Sequence, residues 1–350
     1  MSRQTALVAG GLGVIGRALV EELAQRPEWD VVALSRRAPD FDTPVRYLSV
    51  DLLDAGQCAE RLSGLAGVTH LFYCALSSGP GAWDRPANRQ MLVNLVEVAE
   101  AATSDLAHVS LMQGSSYYGF HSPGGGTTPA REDDPRTTSA NFYYTQEDYL
   151  RERAQDAGWT WSAPRPGAVA GFAVGNPMNL TLVIALYAAI SCELGLPLRF
   201  PGSMDAYERL FEVTDAGLLA RATLWAGETP ACAGEAFNVT NGDCFRWRDL
   251  WPEIADWFAM DPAPPQPISL AATMADNAAL WQAMAERYGL RPYALDQLVG
   301  WAFGDEEFNV DHDMVSSNVK RFQLGFAEVM DSAAMFRRQF DDLRQARIIP

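Results

Sequence analysis

The stretch Thr5-Ala-Leu-Val-Ala-Gly-Gly-Leu-Gly-Val-Ile-Gly16 decides how the rest of the chain is read. Residues 6 to 9 are a short apolar run of strand type. Gly10, Gly13 and Gly16 follow as Gly-x-x-Gly-x-x-Gly, and residues 14 to 23 place apolar side chains at helical intervals. The order is strand, tight glycine turn, helix. Backbone N–H groups at a helix N-terminus carry partial positive charge, and only glycine lets a pyrophosphate approach such a turn closely. A glycine triplet alone is a weak signal, since any strand-to-helix turn can carry one. Directly between a strand and a helix it marks a nucleotide site, with Gly10, Leu12, Gly13, Val14, Ile15 and Gly16 as the expected contacts.

Moving outward, residues 30 to 34 read as a second strand that ends in Ser35-Arg36-Arg37. In dinucleotide folds this strand end meets the adenosine ribose, where a carboxylate would bind the free 2′-hydroxyl and repel a 2′-phosphate. Here Ser35 is neutral and Arg36 and Arg37 are permanently cationic, so the pattern predicts NADP(H) rather than NAD(H). The alternative is a solvated arginine pair. Residues 45 to 50 predict a third strand closing on Asp51-Leu52. The Asp51 carboxylate there is placed either to accept from the adenine amine or to cap the next helix.

Residues 68 to 74 predict a fourth strand, whose end at Ala75 and Leu76 is expected beside the inner phosphates and the nicotinamide ribose. The loop 77 to 85 is then expected at the substrate mouth. Residues 107 to 113 predict a fifth strand that delivers Gln113-Gly-Ser-Ser-Tyr-Tyr-Gly119, and a long helix opens near Asn141. Strands and helices alternating in this way require right-handed crossovers and a parallel sheet with ligands at the carboxyl ends of its strands. The fold class expected is α/β, a Rossmann-type doubly wound parallel sheet with a smaller, mostly helical C-terminal substrate lobe. Residues 1–175 form the nucleotide half, its sheet completed by segments near 205–245, and residues 176–350 the interleaved lobe.

Composition narrows the partners. The 350 residues suffice for one large core with an appended lobe. The net charge of −17, from 27 basic and 44 acidic residues, repels phosphate backbones and anionic lipid, which argues against nucleic acid and membrane partners. Five widely spaced cysteines read as reduced thiols, and the four histidines show no metal-ligand spacing, so no metal is expected. The most apolar segment, residues 180 to 190, is short of the roughly 20 residues of a bilayer span, and no signal peptide is evident. The expected location is the cytoplasm.

Several motifs together resemble the short-chain dehydrogenase/reductases, and within them the progesterone 5β-reductase and iridoid synthase-like group. They are the glycine turn, Ser35-Arg36-Arg37, Asn141-Phe-Tyr-Tyr-Thr-Gln-Glu-Asp148, Arg165-Pro166-Gly167, Met178-Asn179-Leu180, Glu235-Ala-Phe-Asn-Val-Thr-Asn-Gly-Asp243 and Trp301-Ala-Phe-Gly304. The resemblance implies NADPH-dependent reduction of a C=C bond conjugated to a carbonyl. It also implies a small-molecule enone or carbonyl substrate and a possible homodimer. It places the catalytic tyrosine on Tyr143 and puts Ser116 where the group has a catalytic lysine. It brings Gln113, Val169 and Met178 to the cofactor as well.

Tyr143 and Glu147 lie one helical turn apart, and the nearby carboxylate predicts a Tyr143 that stays a neutral phenol at pH 7 and donates to a developing oxyanion. Three readings stand: enone reduction with Tyr143 at the enolate, direct C=O reduction through Tyr143 and Ser116, and an NADP-binding regulator without turnover. Met204, Tyr207, Phe211, Trp301 and Phe303 are candidates for an apolar pocket, with ordinary core as the alternative. The stretch 261 to 267, rich in proline, reads as a stiff connector.

Overall fold

Alternating short apolar runs and amphipathic helices build the N-terminal half. The computed structural model describes residues 3–77, 86–120, 125–176 and 178–350. The strands are β1 (Gln4–Ala9), β2 (Trp29–Ser35), β3 (Arg46–Ser49), β4 (His70–Tyr73), β5 (His108–Leu111), β6 (Thr160–Pro166), β7 (Ala168–Ala170), β8 (Leu198–Arg199), β9 (Leu210–Phe211), β10 (Val213–Asp215) and β11 (Glu235–Val239). Seven of them form one sheet in the order β11-β6-β5-β4-β1-β2-β3, with every pair parallel. The order reverses between β1 and β4, which opens a crevice at their carboxyl ends.

Helices cover both faces of this sheet. On one side α1 (Val14–Ala24) and α7 (Ala216–Glu228) bury Leu19, Val20, Leu23, Ala220 and Leu224. On the other, α2 (Ala55–Leu62), α3 (Pro86–Ala102) and α4 (Phe142–Arg153) bury Cys58, Leu92, Leu95, Val96 and Leu150. β4 and β5 are buried along their whole length, with His70, His108 and Ser110 as their buried polar members.

The remaining strands are short. β7 pairs with β10, and β8 with the two-residue strand Pro262–Ala263, so the proline-rich stretch contributes a strand as well as a connection. β6 runs on through Pro164 and Pro166, because its ladder with β5 ends at Ser110 and Ser162 while β11 continues to Val239. The lobe packs around α5 (Leu180–Glu193), which is buried on nearly every side, followed by α6 (Met204–Glu208). The five cysteines are free. Among the described residues no helix is long and apolar enough to cross a membrane.

Candidate active site

The glycine turn sits in the crevice. Gly10 has φ +77°, and a Cβ there would lie 2.7 Å from the Cys74 carbonyl oxygen and 3.0 Å from the Ala75 nitrogen, so β1 and β4 close on it. A Cβ on Gly16 would overlap the Gly10 carbonyl. Gly13 caps α1 in an extended conformation with no side-chain acceptor, which leaves the first-turn amides of Val14 and Ile15 without intrahelical partners. Leu12 is buried beside them, and Leu76 is 37% exposed past β4. Asn176 brings its side-chain nitrogen to 3.5 Å from a Cβ position on Gly13 and its oxygen to 3.0 Å from the Met178 amide. Both the pinched glycines and the open helix end fit a bound pyrophosphate.

At the end of β2 the two arginines part company. Arg37 donates to the carbonyls of Val174 and Gly175 at 2.7 and 3.1 Å, while its backbone amide reaches the Ser35 hydroxyl at 3.4 Å. Gly175 has φ +72°, and a Cβ there would overlap the Arg37 guanidinium. Arg36 is exposed, and its carbonyl accepts from Ser49 at 3.0 Å. Asp51 holds the Leu53 amide at 3.0 Å. The cap of α2 is Asp54, through the Gln57 amide at 2.9 Å, which removes the capping alternative for Asp51. Leu52 is buried, its carbonyl bound by Asn94 at 2.8 Å.

α4 starts at Asn141, and this residue joins the two expected catalytic positions. Its side-chain oxygen accepts from the Tyr143 amide at 3.0 Å, and its nitrogen donates to the Ser116 carbonyl at 2.9 Å. The short 3₁₀ turn Ser115–Tyr118 is thereby fixed against the first turn of α4. The Tyr143 hydroxyl lies 3.2 Å from a Cβ position on Gly114, so glycine at 114 leaves it room. Tyr143 and Ser116 are both half-buried. The hydroxyl of Tyr144 faces the other way and is consumed by Thr137 and the Tyr117 carbonyl.

Desolvation holds the Tyr143 phenol well above the usual tyrosine range. A neutral hydroxyl was expected from the carboxylate of Glu147, but burial supplies it, and that carboxylate is engaged by other side chains. It is 2% exposed and bound by Arg165 at 3.0 Å, Gln113 at 3.1 Å, Arg151 at 2.9 Å and Arg136 at 3.4 Å. Burial pushes Glu147 up, yet the Arg165 guanidinium and its other donors outweigh burial and hold it below the usual carboxylate range. The amide of Gln113, expected at the cofactor, is engaged in this cluster.

Val169 lies in β7, whose partner β10 leads into α7. Of the apolar candidates, Phe211 and Trp301 are core, Tyr207 and Phe303 pack partly buried against it, and Met204 is 55% exposed, too open to line a pocket. Ser77 is half-buried, and the rest of the expected mouth, 78–85, lies outside the described residues. Asn141 and Arg165 carry parts that sequence reasoning did not give them. The N-cap preference of asparagine before an aromatic helix start was the available signal for Asn141. For Arg165 none existed.

Fold and site together define the Rossmann class of α/β proteins. Residues 46–350 match the family described as PRISE-like Rossmann-fold domain, and the chain belongs to that family, among the enzymes of the short-chain dehydrogenase/reductase group. It is 36% identical to an (S)-8-oxocitronellyl enol synthase of Nepeta racemosa over 99% of this chain and 91% of that protein. It is 32% identical to the 3-oxo-Delta(4,5)-steroid 5-beta-reductase of Arabidopsis thaliana, covering 99% and 93%. The UDP-glucose 4-epimerase of Thermus thermophilus in complex with NAD superposes with a TM-score of 0.68 at 19% identity, over 98% of this chain and 100% of that one. That likeness bears on the fold.

Proposed function

We propose that this protein reduces the C=C bond of an α,β-unsaturated carbonyl compound with NADPH, and that Tyr143 donates a hydrogen bond to the enolate oxygen. The observation that carries the reading is the Tyr143 hydroxyl, kept protonated by desolvation and lodged beside Gly114 at the strand ends that also hold the glycine turn. One relative is named for an enol product and another for a 3-oxo steroid with a conjugated double bond, and both names fit a site built around a neutral donor.

The residues present fit the dinucleotide. Gly10, Leu12, Gly13, Val14, Ile15 and Gly16 would hold the pyrophosphate, Arg36 with Ser35 the 2′-phosphate, and Asp51 and Leu52 the adenine. Ala75, Leu76, Val169 and Met178 would border the nicotinamide half. Bound there, the dinucleotide would supply a hydride to the β-carbon of the enone, and a proton from water at the α-carbon would complete the saturated product. Negative charge then collects on the substrate oxygen, where a preorganised donor lowers the barrier more than water does. Tyr143 is the catalytic residue and Ser116 the second candidate. The lobe beyond residue 176 would hold the substrate, and we place the enzyme in the cytoplasm, acting on a small molecule.

Direct C=O reduction is the second reading, favoured by the Ser116 hydroxyl, which no described residue engages, on the turn that Asn141 ties to the start of α4. Following NADPH absorbance with paired enones and saturated ketones, and identifying the products, separates the two. Saturated carbonyl products from enones are expected. Turnover of saturated ketones, or allylic alcohol from enones, would overturn the first reading in favour of the second.

A further inference from the structure

The catalytic helix rests on a buried charge cluster that the proposed chemistry does not itself use. Arg165, at the end of β6, is 1% exposed. Its guanidinium lies 3.4 Å from the centroid of the Tyr117 ring and donates to Gln113 at 2.8 Å, Tyr118 at 3.1 Å, the Glu132 carbonyl at 3.2 Å and Glu147 at 3.0 Å. Gln113, just past β5, donates to Glu147 at 3.1 Å and to the backbone carbonyl of Tyr143 at 3.3 Å. Two strand ends and the first turns of α4 are therefore closed into one ring of hydrogen bonds.

A buried ion pair seldom stabilises a fold beyond what a well-packed apolar pair would, whereas an unpaired buried charge is strongly unfavourable. Stability alone is therefore a poor reason for this pair. Its position supplies a better one. Glu147 lies one turn from Tyr143, and a bare carboxylate there would oppose negative charge growing on an oxygen held by the Tyr143 hydroxyl. Among the described residues, every group bonded to the Glu147 carboxylate works against that charge: Arg165 from β6, Gln113 beyond β5, Arg136 from the segment before α4, Tyr117 from the 3₁₀ turn at 3.5 Å, and Arg151 on α4 itself. Arg136 and Arg151 are substantially exposed and screened by water, so Arg165 is the partner that stays effective.

We propose that Arg165, with Glu147 and Gln113, is the positioning device of this site: it fixes the turn of α4 that carries Tyr143 and cancels the buried Glu147 carboxylate that would oppose the enolate. The proposal rests on the reading of Tyr143 as the oxyanion donor. It also accounts for a site that works with serine at position 116, because rigidity and charge balance come from behind the tyrosine.

The test uses the full-length protein with NADPH and an enone. Arg165→Met should lower kcat about 100-fold while NADPH affinity, read by fluorescence, stays within about two-fold. Adding Glu147→Gln should restore about ten-fold, because the opposing charge is removed. The activity of Arg165→Met should also rise as pH falls and Glu147 takes up a proton, a trend the wild type lacks. In a Tyr143→Phe background the same Arg165 change should have little further effect. If Arg165→Met does not fold, Arg165→Lys and Gln113→Met carry the same cycle. A folded Arg165→Met with normal kcat, or losses that simply multiply with those of Tyr143→Phe, would overturn the proposal. A wild type that turns over no enone would instead refute the underlying reading.

Discussion

The hydroxyl of Tyr144 donates to the carbonyl oxygen of Tyr117 across 2.6 Å, while its neighbour on the helix, Tyr143, presents its own hydroxyl beside Gly114. Adjacent helical residues point about 100° apart, so the two phenols serve different ends. Tyr143→Phe should lower turnover roughly 100- to 1000-fold with NADPH affinity nearly unchanged. Tyr144→Phe should cost about 1 to 3 kcal/mol of stability, because it leaves the Thr137 amide and Tyr117 carbonyl short of a partner, with little change in kcat. Steady-state kinetics beside thermal melts checks both. Similar kinetic losses in the two variants would move the donor off Tyr143.

Arg36 and Arg37 should separate in the same manner. Arg37 is committed to the carbonyls of Val174 and Gly175, and Arg36 stands exposed at the strand end. A charge-assisted bond contributes roughly 1.5 to 3 kcal/mol, so Arg36→Ala should weaken NADPH about 10- to 100-fold and leave NADH almost untouched. Arg37→Ala should weaken both cofactors alike by loosening segment 174–175. Titrations of both variants with both cofactors decide it. Equal loss for NADPH and NADH in Arg36→Ala removes the 2′-phosphate assignment.

Ser116 offers a hydroxyl where the family resemblance leads to a lysine, and a neutral hydrogen bond is worth roughly 0.5 to 1.5 kcal/mol against 1.5 to 3 for a charged one. Reactive enals should therefore be better substrates than hindered enones. Ser116→Lys should raise activity on the weaker acceptors, and Ser116→Ala should lose a few-fold in turnover. Its melting temperature should hold, because it is the Ser116 backbone carbonyl that ties down Asn141 and Gly119. Unchanged kinetics in a stable Ser116→Ala enzyme would take the residue out of the site.

Glu212 is buried opposite Gly167, with one oxygen bound by the Ser316 amide at 2.9 Å and the other without a well-formed hydrogen bond. Burial raises its carboxyl to about 7, against an ordinary value of 4.5, and the Ser316 and Thr240 hydrogen bonds only partly offset this. A raised carboxyl favours the fold at low pH, and the benefit is lost as pH rises through the folded value. Glu212→Gln mimics the protonated acid, so its stability relative to wild type should grow by roughly 3 kcal/mol between about pH 4.5 and pH 8. Denaturant melts across that range test it. A difference independent of pH would show that Glu212 ionises normally.

His70 and His108 report the opposite trend. Burial lowers them to about 4 and about 3, with each His108 ring nitrogen held by Thr160 or Ser162 at 2.9 Å. Folded neutral, they contribute stability above the unfolded value near 6.5 that is lost as pH falls toward 4. Each accounts for roughly 3 kcal/mol over that interval. Wild-type melts should therefore decline steeply below about pH 6. A His108→Gln variant that folds should show a shallower decline, and an unchanged slope would rule this histidine out.

Local chemistry alone marked the nucleotide half of this protein. The glycine triplet is legible because a positive φ at Gly10 and close strand contact both demand a missing Cβ, and a parallel sheet follows from alternation and crossover handedness. Arg36 and Arg37 were visible for the same reason, since they sit at a fixed offset from a strand end, whereas Tyr143 was singled out by the resemblance to the reductases. What sequence could not settle was what each side chain does once packed. The i to i+4 spacing of Tyr143 and Glu147 was plain, but Arg165 lies on a strand rather than on their helix, and only the closed fold brings its guanidinium onto that carboxylate. The difference between Tyr143 and Tyr144, and between Arg36 and Arg37, was likewise made by partners more than 20 residues away, the Tyr117 and Val174 carbonyls. Backbone geometry is written in neighbouring residues, whereas the charge and freedom of a side chain depend on contacts that exist only after the chain has closed on itself.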